Sequence, residues 1–232
     1  MKGILVILSG ISIFTILIIK YLWANEPEFW MYGEETGDVL FDLSVGYISA
    51  YIFYIIDIWI PGRKEQERIN QRVAIPLSRL LNQIKSPIVE VNKLYSNDSF
   101  QFENISENEF KKTLRKLDLV NDKGFIMAFP SNNYLNVGQS LYENVSKVDS
   151  YIKQINEMPV KLEFGLVEIL DKIKHSDYHE VMNSISNLTN FSGYMSVNGE
   201  AIEGSMYKYY LLFFELKEYM KTNKIPITIS DL

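Results

Sequence analysis

Residues 3–23 (GILVILSGISIFTILIIKYLW) and 39–60 (VLFDLSVGYISAYIFYIIDIWI), separated by ANEPEFWMYGEETGD at 24–38, decide how this chain is read. Each apolar run is close to the ~20 residues that a helix needs to cross bilayer hydrocarbon. The segment between them carries Glu26, Glu28, Glu34, Glu35 and Asp38 and no lysine or arginine. Arg63, Lys64, Arg68 and Arg72 follow the second run, and Lys2 precedes the first. Positively charged flanks stay in the cytoplasm, so residues 1–61 are expected to form a transmembrane hairpin with both termini cytoplasmic and an acidic loop outside. Trp23, Phe29, Trp30 and Tyr32 near the outer boundary, and Trp59 near the inner one, suit interfacial aromatic belts.

A cleaved secretory signal is the competing reading of the first run. Its apolar core exceeds the ~7 to 15 residues of such signals, and Tyr21-Leu22-Trp23-Ala24-Asn25 lacks small residues at both cleavage positions. Asn-x-Ser/Thr triplets at Asn97, Asn104, Asn144, Asn187 and Asn190 are glycan acceptors only in a secreted domain. In a cytoplasmic one they are chance.

The second span differs around its circumference. Asp42, Gly46, Ser49, Ala50, Phe53 and Asp57 fall within an arc of about 100°. Phe41, Val45, Ile48, Ile52, Ile55, Ile56 and Trp59 fall opposite. Gly46 and Ala50 form a small-xxx-small pair that lets helix backbones approach closely, so the small and acidic side is expected to meet protein and the other side lipid. Charges at membrane depth are normally paired or near water. Lys20 and Asp42 lie at similar depth in an antiparallel hairpin, where they either pair or each snorkel to the interface. Asp57 lies near the cytoplasmic end, within reach of Arg63 and Lys64.

The chain of 232 residues has a net charge of −6, but its first 61 residues hold two basic groups against seven acids. Residues 62–232 hold 21 basic and 22 acidic groups, leaving no overall field to recruit nucleic acid. Cysteine is absent, which excludes disulfides, thiolate catalysis and thiolate metal sites.

Pro61-Gly62 is expected to end the second span. An amphipathic helix follows from about Lys64 to Lys85, with a kink or restart at Pro76. Ile69, Val73, Leu77, Leu80, Leu81 and Ile84 form its apolar side; Lys64, Arg68, Arg72 and Arg79 form a basic side that either meets anionic headgroups or is simply solvated.

Helical patterns continue beyond Ser86-Pro87. Ser106 and Glu109 make a capping box ahead of Phe110, Leu114 and Leu117. Leu141, Val145, Val148, Ile152 and Ile155 recur at bundle spacing, too briefly for a coiled coil. Pro159 suits the first position of a helix carrying Leu162, Leu166, Ile169 and Ile173, and Asp177 suits the cap of the next. A last helix is expected from Ala201 to Met220, and an extended tail from Lys224. Phe125–Phe129 and Phe191–Val197 are the two candidate strands, paired with each other. The fold class is therefore mainly α: a two-helix transmembrane hairpin, then a cytoplasmic helical bundle over 62–232 with one small strand pair.

Catalytic motifs are scarce. His175 and His179 have the spacing of two ligands on one helix face, with Asp171, Asp177 and Glu180 nearby, yet no His-Glu-x-x-His pattern and no third ligand is evident. Lys111, Lys112, Arg115 and Lys116 make a basic patch interleaved with core positions, read as a solvated helix face ahead of a phosphate site. No phosphate-binding loop, nucleophile elbow or kinase set is present. The stripe of Tyr207, Tyr209, Tyr210, Phe213, Phe214 and Tyr219 reads as core and rim.

Over residues 38–68 the chain resembles uncharacterised two-span bacterial membrane proteins, through Ser49-Ala50-Tyr51-Ile52-Phe53-Tyr54 and the basic stop after Pro61. The resemblance implies a bacterial inner membrane and brings no activity or site residues. The expected function is a non-enzymatic, membrane-anchored interaction or sensor protein at the cytoplasmic face. Its expected partners are membrane lipid and a protein, either another chain or a second copy; neither nucleic acid nor a cofactor or metal is expected. The alternatives are an oligomeric membrane-perturbing effector whose hairpins line a path with Asp42 and Asp57 and, further off, an anchored metal-dependent hydrolase at the histidines.

Overall fold

A computed structural model describes residues 2–23, 33–95, 101–128, 133–185 and 196–228. The chain is mainly helical and forms two compact units, Met1–Arg68 and Ile69–Leu232.

In the first unit, α1 (Lys2–Leu17) continues into a π-helical turn, Ile18–Trp23, and α2 (Gly33–Phe53) into another, Tyr54–Trp59. Both helical runs are long and apolar enough to cross a membrane. The two helices pack antiparallel: the Tyr47 hydroxyl donates to the Leu5 carbonyl at 3.1 Å, and the Lys20 ammonium lies 5.7 Å from the centre of the Phe41 ring. Gly37 and Ser44, two helical turns apart, are buried on α2. Ile4, Ile7, Phe14, Leu43 and Phe53 stay exposed. A soluble core helix would bury such side chains. Part of the expected outer loop, residues 24–32, lies outside the described residues.

The expected break at Pro61-Gly62 does not occur. Helix α3 (Ile60–Tyr95) follows at once and passes through Pro76 and Pro87 as well, with no restart at either. Proline cannot donate to the carbonyl four residues back, and its ring crowds that turn. Ahead of Pro61 the ladder has widened to π spacing, with the Ile60 N–H bonded to the Ile55 carbonyl. Such π adjustment re-satisfies backbone groups around a helical proline. At Pro87 the orphaned carbonyl is that of Gln83, and the buried Asn144 side chain donates to it at 3.0 Å.

In the second unit the α3 face of Val73, Leu77, Leu80, Leu81, Ile84, Ile88 and Val91 is buried, as its spacing of three and four predicts. Helix α4 (Glu107–Leu114) carries the expected capping box: the Glu109 N–H donates to Ser106 Oγ, and the Ser106 N–H to Glu109 Oε2, both at 3.3 Å. Strand β1 (Lys123–Ala128) pairs antiparallel with β2 (Asn133–Asn136), Lys123 opposite Asn136 and Ala128 opposite Asn133. The partner of the first predicted strand is thus a local one. Residues 191–195 of the other candidate lie outside the described residues, and the Val197 carbonyl accepts from the Leu119 N–H at 2.8 Å.

Asn136 closes β2 and caps α5 (Val137–Asn156) in a second capping box with Gln139. The α5 seam of Leu141, Val145, Val148, Ile152 and Ile155 is fully inside the core, as bundle packing requires. Pro159 does not open a helix. It lies in a turn closed by Val160 N–H to the Met158 carbonyl at 2.7 Å, where its fixed φ serves equally well, and α6 spans Phe164–Lys174. Asp177 is the first residue of α7 (Asp177–Ile185) rather than its cap; Ser176 Oγ accepts from the His179 N–H, while the Asp177 carboxylate binds Lys208 at 2.7 Å.

Helix α8 (Glu203–Thr222) lies against α4, α6 and α7, burying Met206, Tyr209, Tyr210, Phe213, Leu216 and Met220. It ends in a Schellman arrangement: Ile225 N–H to the Met220 carbonyl at 2.8 Å, Lys224 N–H to the Lys221 carbonyl at 3.1 Å, and Lys224 at φ 55°. The chain then returns to α3, where Asn70 donates to the Asn223 carbonyl and Ser78 Oγ accepts from the Thr228 N–H.

Candidate functional site

On α2, Asp42, Gly46, Ser49, Ala50, Phe53 and Asp57 are all exposed, whereas Gly37, Phe41, Ser44 and Ile48 on another side are buried or half-buried. The small, acidic face therefore looks away from α1. A Cβ added at Gly46 would meet nothing within 4 Å. Lys20 sits over Phe41, and Arg63 lies 5.1 Å from the Trp59 ring centre. Among the described residues no ion pair joins Lys20 to Asp42, or Asp57 to Arg63 or Lys64.

The basic side chains of α3 are exposed at Lys64, Arg68, Arg72 and Arg79. Arg68 lies 3.6 Å from Glu65, one turn away, a contact of little weight between two exposed groups. Steps of four, four and seven keep these cations on one side of the helix.

Two members of the other basic patch are taken up internally, while Lys112 and Lys116 stay exposed. Lys111 pairs with Glu107 at 2.7 Å, and Arg115 grips Glu203 with two bonds of 2.7 and 2.9 Å. These bonds raise the Lys111 and Arg115 pKa values and lower that of Glu203. Arg115 thereby joins the end of α4 to the start of α8, a structural task that competes with phosphate.

The histidines fall in different surroundings. His175, at the C-cap of α6, is exposed and lies 3.4 Å from Asp171. His179 is buried, with Nε2 3.4 Å from the Tyr209 hydroxyl and Nδ1 3.5 Å from Asp149 Oδ1. Among the described residues no group of three potential metal ligands comes together.

Two polar constellations were not visible along the sequence. Asp118 accepts from the Val120 and Asn121 N–H groups, the Asn121 amide and the Ser196 hydroxyl. Burial pushes its pKa up, but these donors together outweigh it and hold the carboxyl far below the usual range. The second is the set of buried Tyr178, His179 and Tyr209 with half-exposed Asp149, drawn from three helices. Burial raises the pKa of both tyrosines. Burial also lowers that of His179, with Asp149 pulling the other way. Only the proximity of Tyr178 and His179 could have signalled this set.

No family model, no curated protein and no solved structure matches the chain.

Proposed function

We propose that this protein is a non-enzymatic interaction or sensor protein anchored at the cytoplasmic face of a bacterial inner membrane. The observation that carries the reading is the exposure of apolar side chains along α1 and α2, which demands a nonpolar surrounding. The charge asymmetry of the flanks supports cytoplasmic termini. Lys64, Arg68, Arg72 and Arg79 supply a cationic side for anionic headgroups, worth ~1 kcal/mol for each residue near the surface. The helical unit then offers its surface to a protein partner.

The exposed carboxylates of Asp42 and Asp57 favour a second reading, in which several hairpins assemble and the acids line a path through the membrane. A membrane-potential dye during induced expression separates the two: an unchanged potential supports the anchor, and collapse supports the effector.

Because the chain has no cysteine, single cysteines report topology cleanly. Glu35→Cys should react with an impermeant maleimide from outside the cell, and Glu67→Cys only after permeabilisation. Labelling in the opposite order would overturn the proposed orientation. Leucine at both Gly46 and Ala50 should weaken crosslinked oligomers if this face packs against a second copy; unchanged crosslinking would remove it as the contact.

A further inference from the structure

Buried polar atoms without partners are scarce in folded proteins, and each calls for a physical reason. In the second unit, His179 Nδ1, Asp149 Oδ1 and the Tyr178 hydroxyl are buried without a well-formed hydrogen bond among the described residues. The first two face one another at 3.5 Å. A neutral imidazole has one donor and one acceptor, whereas the protonated ring has two donors. The groups around His179 suit two donors in kind, but the ring is only 2 % exposed.

The helices packed against α7 are α5 and α8. From α5 comes the Asp149 carboxylate, 43 % exposed and so partly screened by water. From α8 comes Tyr209, with its ring centre 5.3 Å from that of His179, and on α7 itself Tyr178 lies at 6.3 Å. From the end of α6 come the Lys174 carbonyl, which favours a proton on the ring, and His175, whose charge opposes one. Loss of hydration outweighs the attraction of one half-exposed carboxylate.

We propose that the α5–α7–α8 junction is an acid-sensitive latch, in which His179 packs as a neutral ring and proton uptake releases α7 from its neighbours. The sign follows from linkage. Above the histidine pKa of the unfolded chain, ~6.5, neither state holds the proton and the latch has its full strength. As the pH falls from there toward the lower folded value, the opened state takes up a proton that the closed state refuses, and closure weakens. Helix α7 has nine residues, which suits it to open as a local unit. The latch lies wholly in the second unit and does not depend on the hairpin crossing a membrane.

The test is histidine-selective 13C NMR of the full chain in detergent micelles, where two histidines give two signals. His175→Asn assigns them, and the same chain in urea gives the unfolded reference. The His179 signal should titrate below its value in urea. Amide protection over α7 should fall about tenfold per pH unit across that interval, while α3 stays protected. Titration at or above the urea value, or α7 protection that ignores the interval, would overturn the proposal. His179→Phe should abolish the acid dependence; retention of it in a folded variant overturns the latch. If that variant does not fold, Asp149→Asn decides, since losing the carboxylate should lower the His179 midpoint further. A raised midpoint overturns the latch.

Discussion

Replacing Asn144 by leucine tests how α3 survives Pro87. In the native protein Asn144 donates to the Gln83 carbonyl at 3.0 Å, standing in for the N–H that Pro87 lacks. Two effects oppose one another in the single variant. Stranding the Gln83 carbonyl costs about 1–3 kcal/mol. Removing Asn144 Oδ1, which is buried without a partner among the described residues, relieves a penalty of similar kind. The single measurement therefore mixes the two, and a double-mutant cycle with Pro87→Ala separates them. Alanine restores an N–H four residues after Gln83, so the helix satisfies that carbonyl itself, while relief at Asn144 is common to both backgrounds and cancels. The expected result is that Asn144→Leu destabilises the wild type more than the Pro87→Ala background, by about 1–2 kcal/mol, within the range of directly coupled pairs. Urea unfolding of the full chain in mild detergent, followed by circular dichroism at 222 nm, gives the four free energies. Equal losses in both backgrounds would refute the substitution of Asn144 for the missing donor.

Two further predictions concern single positions. Gly199→Ala places a Cβ against the Leu114 carbonyl, which as backbone cannot yield, and should cost about 2 kcal/mol or more; Gly204→Ala, early in α8 with open space around it, should be neutral or stabilise by up to about 1 kcal/mol. The same urea titration compares them, and equal effects would contradict the stated packing. Lys224→Gly should stabilise by about 0.5–1 kcal/mol, because φ 55° is strained for a side-chain-bearing residue and open to glycine; a loss of stability would mean that the lysine side chain does more there than close a helix.

The helical class and most helices were legible because they rest on periodicity and local caps. Phe110 with Leu114, the α5 seam and the Ser106–Glu109 box all lie within one or a few turns. What sequence reading missed depends on distant partners. The helix through Pro61 and Pro87 looked forbidden because its compensations are a π turn and an amide 61 residues away. Pairing of β1 with Asn133–Asn136 was hidden because that short, Asn-rich strand carries almost no alternation. His175 and His179 read as a possible ligand pair by spacing, yet one is exposed and the other meets a tyrosine 30 residues on. For α2, the pattern identified a small, acidic face, but only the packing against α1 shows that this face points away from its own hairpin partner.

The return of the last residues to α3 has a consequence for synthesis. Asn70 waits for Asn223, and Ser78 for Thr228, 150 residues later in the chain. At a translation rate of ~5–20 residues per second, these two contacts form no sooner than roughly 8–30 s after their α3 residues are made. Over that interval α3 is a long amphipathic helix whose contacts with the tail are still to come. A chaperone or a nearby bilayer surface could shield that part of α3 until the tail has been made.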